Sequence, residues 1–120
     1  MTIRRAIPNL LVQDLDAARE FYAGFLGFDV AMDEPGFARF ASPSNRTAQI
    51  TVADANTPGL DRGVREAHVS IEVEDVDALH AEALRRGLEI VYPLTDEPWG
   101  IRRFFVRDPD GTVINVAMHM

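Results

Sequence analysis

The chain has 120 residues, 47% of them hydrophobic and 26% charged, with a formal net charge of −7. That balance fits one globular domain and excludes a disordered chain, and the acidic charge speaks against a nucleic-acid-binding face. Cysteine is absent, which excludes disulfides, thiolate catalysis and cysteine–zinc sites; no apolar run reaches the roughly 18 residues of a membrane span.

The elements read in chain order as two copies of one unit. A first strand carries Ile7, Asn9 and Leu11 on one face. Asp14 then stands as an N-cap, because its short carboxylate can accept from the free N–H groups of a first helical turn. The helix runs to about Leu26, with Leu15, Ala18, Tyr22, Phe25 and Leu26 on one face, and Gly27 follows it. Strands are expected near Phe28–Met32, Phe37–Ala41 and Thr47–Ala53, the last two joined by a turn at Ser42-Pro43-Ser44-Asn45. Residues 54–66 form a linker.

The pattern then restarts. Val73-Glu74-Asp75-Val76-Asp77-Ala78 repeats Val12-Gln13-Asp14-Leu15-Asp16-Ala17. A strand from Ala67 to Val73 leads into a helix capped by Asp75, ending near Arg86 and Gly87. Strands near Leu88–Tyr92, Trp99–Arg107 and Thr112–His119 follow, with a turn at Asp108-Pro109-Asp110-Gly111. The expected fold class is α+β: two βαβββ modules in one domain, about 1–55 and 67–120.

Alternation with a period of two separates the strand faces. Ala67, Val69, Ile71 and Val73 should meet the helices, leaving His68, Ser70 and Glu72 on the other side. Ala48, Ile50 and Val52 oppose Thr47, Gln49 and Thr51. Ile114, Val116 and Met118 oppose Val113, Asn115 and Ala117. Trp99, Ile101, Arg103 and Phe105 share one face of a strand that is apolar on both.

Ile7-Pro8-Asn9-Leu10, the stretch Asp14 to Tyr22 continuing through Leu26-Gly27-Phe28, and Trp99-Gly100 followed by Asp-Pro-Asp-Gly give the chain a resemblance to the vicinal oxygen chelate superfamily. This is the glyoxalase, bleomycin-resistance and dioxygenase group. The resemblance covers nearly the whole chain. It implies curved mixed sheets that enclose a cleft, helices on the convex side, and a homodimer with clefts shared between chains. It also implies four repeat-related metal positions, which fall here on Ile7, Gln49, His68 and Asn115.

Those residues make a poor divalent site. A catalytic metal typically takes about three strongly donating protein ligands. Only His68 is one, Ile7 has no donor, and no carboxylate balances the ion's charge. Glu72, on the same strand face as His68, is the remaining candidate ligand. No cofactor is expected.

The alternative is a cleft for a small organic molecule. Trp99 and Phe105 would form an aromatic wall with Ile7 and Leu11, or simply pack in the core. Gln49, His68, Asn115 and Arg103 would orient the ligand. For Arg103 the other readings are an exposed strand arginine or a counter-charge to Glu72. Glu20-Phe21-Tyr22 sits on a helix and is given no catalytic role. Nor are Arg19, His80 and His119. Three functions therefore compete. One is a cytoplasmic binding protein of the bleomycin-resistance type, conferring antibiotic resistance by sequestration. The others are an enzyme, metal-dependent or using His68 as a base, and an interaction module. The sequence leans away from the enzyme.

Overall fold

The computed structural model describes residues 2–120. The chain divides into two compact units: an N-terminal one, Ile7–Glu66, and a C-terminal one made of residues 2–6 and Ala67–Met120. The first strand, β1 (Ile3–Val12), therefore gives its start to one unit and its end to the other.

In the N-terminal unit, β2 (Asp29–Glu34), β3 (Phe37–Ala41) and β4 (Gln49–Asp54) are antiparallel neighbours. β4 runs parallel to β1, with Asn9 beside Thr51. Helix α1 (Leu15–Arg19) is capped by Asp14, whose carboxylate accepts from Ala17 N–H at 3.0 Å. It opens into a wider π-helical turn, Glu20–Phe25, which the apolar spacing did not foretell. Leu26 N–H reaches back five residues to the Phe21 carbonyl. Gly27 follows at φ +82°, a conformation that favours glycine. Ala18 and Tyr22 pack on Ala38, Phe40 and Val52 to form this unit's core. Phe40 thus lies on the helix face of its strand.

The C-terminal unit repeats the plan. β6 (Ile90–Asp96), β7 (Ile101–Arg107) and β8 (Val113–His119) are antiparallel, and β8 runs parallel to β5 (Val69–Val73). Asp75 caps α3 (Val76–Arg85) through Ala78 N–H at 3.1 Å. The α3 residues Val76, Leu79 and Ala83 pack on Val73, Phe104 and Val116. Each large apolar side chain buried there contributes about 1.5–3 kcal/mol.

The connection read as a linker carries a short helix, α2 (Arg62–Glu66). Several strand boundaries also shift, two of them at candidate residues. His68 precedes β5, and Trp99 lies in the turn before β7 rather than in it. Ala67, expected toward the helices, instead packs with Phe105 and Val113 on the opposite side, because the chain bends at His68 before the strand begins.

No helix among the described residues is long and apolar enough to cross a membrane.

Candidate functional site

The ladders fix which side chains share the helix-free face of the C-terminal unit. Arg103 pairs in register with Ala117, Phe105 with Asn115, Ile101 with His119, and Ser70 with Asn115. Phe104 and Val116, one step along, belong to the core under α3. The faces expected for β5 and β8 therefore hold within the strands, and the ladder decides β7, which the sequence left open.

At the centre of this face is a charged pair in an aromatic surround. Arg103 is only 4% exposed and Glu97 only 9%. Their charged groups meet at 2.5 Å, and the Tyr92 hydroxyl donates to the same carboxylate at 3.1 Å. The guanidinium carbon lies 5.2 Å from the Trp99 ring centre, 5.1 Å from that of Phe105 and 5.5 Å from that of Tyr92. These are cation–π distances. Tyr92 and Phe105 stack tilted at 4.8 Å. Phe105 is fully buried, whereas Trp99 is 56% exposed. Arg103 is thus neither an exposed strand arginine nor the partner of Glu72. Its charge is neutralised in place and its flat group is clamped among rings.

Sequence reasoning missed Tyr92 and Glu97. The β6–β7 register slips between Ile90 and Tyr92 and again before Thr95. Simple alternation therefore does not show that Tyr92 turns toward Phe105. Glu97 immediately precedes Pro98-Trp99, and that proximity was the available signal.

A second polar group lies on β1, β5 and β8. Glu72 Oε2 accepts from Arg5 Nε at 2.9 Å and lies 3.1 Å from His119 Nε2. Beside it Asn115, 7% exposed, donates to Ser70 Oγ at 3.1 Å. The Asn115 Oδ1 is buried without a hydrogen-bond partner among the described residues. His68 is exposed, and its backbone N–H donates to the Val113 carbonyl at 3.0 Å.

The remaining candidates belong to the N-terminal unit. Ile7 is buried and Leu11 is half-exposed. Gln49 is half-buried and donates to the Arg46 carbonyl at 2.8 Å. Gln49 is also not the ladder equivalent of Asn115. Asn115 lies beside Ser70 as Thr51 lies beside Asn9, so Thr51 holds that place. The slip has a simple cause: the β3–β4 loop, residues 42–48, is two residues longer than the β7–β8 loop, residues 108–112. Thr51 is fully buried and accepts from Arg39 Nε at 3.1 Å.

These donors do not fit a divalent cation. His68 is the one strong donor; Ile7 offers nothing, Gln49, Thr51 and Asn115 are neutral, and Glu72 is engaged by a guanidinium. Among the described residues no three His, Asp or Glu side chains are grouped as a metal site needs.

Clear shifts of pKa fall on the outer surface instead. A hydrogen bond from Arg102 holds the Asp77 carboxyl below its ordinary value. Arg85 and Arg86 do the same to Glu82.

The sequence profile of the Glyoxalase/Bleomycin resistance protein/Dioxygenase superfamily matches residues 5–116. The chain belongs to this superfamily. Solved structures agree on the fold. A glyoxalase/bleomycin resistance protein/dioxygenase superfamily member from Vibrio splendidus 12B01 is 19% identical, with a TM-score of 0.73 over 98% of this chain and 99% of that one. Methylmalonyl-CoA epimerase from Mycobacterium tuberculosis is 22% identical, with a TM-score of 0.72 over 98% and 87%. The Mn(II)-bound glyoxalase from Novosphingobium aromaticivorans is 22% identical, with a TM-score of 0.67 over 97% of this chain and 38% of that one. At these identities the likeness is one of fold. Among curated proteins none matches.

Proposed function

We propose that this superfamily member binds a flat, hydrophobic or aromatic organic compound without a metal. Such a compound, an antibiotic for example, would be sequestered rather than converted. The observation that carries this reading is Trp99. Its large ring is more than half exposed on a face where Phe105 is buried and Tyr92 half-buried, and it is backed by the Arg103 guanidinium. A ring so held presents a flat apolar surface at little entropic cost to the ligand complex. Phe105 and Tyr92 support the clamp from below. Asn115 and His68 supply polar groups on the same unit, the mixture typical of a small-molecule site. The donor set of the four family positions supports metal independence. The proposed working form is a homodimer.

Trp99 is the only tryptophan, so selectively excited tryptophan fluorescence reports on it alone. Titration with a panel of planar aromatic compounds should give saturable quenching for at least one class. Calorimetry should then show that class bound by the native protein and lost in Trp99→Ala. Absence of saturable quenching up to about 1 mM of every compound, a free energy of only about −4 kcal/mol, contradicts the proposal.

A further inference from the structure

We propose that Arg5, Glu72 and His119 form a metal-independent proton-transfer site, with His119 Nδ1 as the base and a planar carbon acid as the substrate class. This rests on the reading that the helix-free face of the C-terminal unit admits a small molecule.

The geometry sets the roles. Both Arg5 Nε and Nη2 reach Glu72 Oε2, at 2.9 and 2.8 Å, so the carboxylate is fixed in position. His119 Nε2 lies 3.1 Å from that oxygen and 3.4 Å from Arg5 Nη2. The shorter contact is with the carboxylate, which can only accept, so it favours the tautomer with hydrogen on Nε2. The lone pair then lies on Nδ1. That nitrogen has no hydrogen bond to a described residue, and the side chain is 61% exposed. A carboxylate behind an imidazole holds the ring's orientation and stabilises the imidazolium that forms when the free nitrogen takes a proton. The charged groups facing His119 are Glu72 from β5 and Arg5 from β1; its neighbour on β7 is apolar Ile101.

The base also stands beside the aromatic surface. Met120 N–H donates to the Gly100 carbonyl at 2.9 Å, which ties the strand end carrying His119 to the turn carrying Trp99. A planar molecule on Trp99 would place its edge toward the end of β8. In the step, Nδ1 takes a proton from carbon, the C–H electron pair enters the adjacent π system, and the imidazolium later returns the proton to water or product. Glu72 acts as a positioning residue.

The test uses 5-nitrobenzisoxazole, in which loss of the ring C–H proton forms a nitrile as the N–O bond breaks to a coloured phenolate. The native protein should exceed buffer containing the same concentration of imidazole. His119→Ala and Glu72→Gln should each lower that excess about tenfold or more, and His80→Gln should leave it unchanged. Long-range proton–nitrogen NMR of His119 should show hydrogen on Nε2 in the native protein and a changed tautomer ratio in Glu72→Gln. Hydrogen mainly on Nδ1 overturns the proposal without any ligand. Quenching of Trp99 by the probe with no excess turnover overturns proton transfer alone. If the probe gives no quenching and no turnover, proton transfer is overturned, while the binding reading falls only if the whole compound panel also fails.

Discussion

Removing the Glu97 carboxylate tests how the aromatic clamp is held. In Glu97→Ala the Arg103 guanidinium stays among three rings and 4% exposed, but loses the carboxylate at 2.5 Å. Truncating one partner of a buried ion pair costs about 3–5 kcal/mol. Tyr92 loses its acceptor in the same variant. With a urea slope of about 1–3 kcal/mol per M, the unfolding midpoint should fall by about 1 M or more. Replacing both partners, Glu97→Gln with Arg103→Met, removes the charge and keeps an apolar stem between the rings. That double variant should be more stable than Glu97→Ala. A midpoint unchanged in Glu97→Ala, or a double variant no better than the single one, refutes the account of a buried, ring-clamped pair.

Three further outcomes follow from the fold. Phe104 is 1% exposed under α3, so Phe104→Ala should cost about 3–5 kcal/mol in chemical denaturation. Asp75→Ala removes the acceptor for Ala78 N–H and should cost about 0.5–2 kcal/mol, with helix-end amides exchanging faster. Asp77 and Glu82 have folded pKa values below their ordinary 3.8 and 4.5. Their contribution to stability is therefore present above those values and is lost as the pH falls through and below them. Carboxyl NMR should show Asp77 titrating nearer its ordinary value in Arg102→Gln, and that variant's stability should decline less steeply on the acid side.

What the sequence showed was local. Asp14 and Asp75 announced the two helices by their spacing from the apolar stripe, and β8 showed its core face in the alternate Ile114, Val116 and Met118, with Asn115 opposite. What it concealed depended on register. The Asp-Pro-Asp-Gly turn suggested that Gln49 matches Asn115, but two extra loop residues moved that place to Thr51. Irregular pairing in β6 hid Tyr92, and nothing in the chain said that the charge of Arg103 would be neutralised by Glu97. His119 looked like a strand end; only the parallel placement of β5 beside β8 brings it to Glu72.

The central claim is metal-free binding at Trp99. Its most direct test is a quenching titration of chelator-treated protein with the best aromatic compound, repeated after adding manganese or zinc. The account predicts saturable binding with the same Kd in both samples. Binding that appears only with the metal, and that vanishes in His68→Ala, would contradict it.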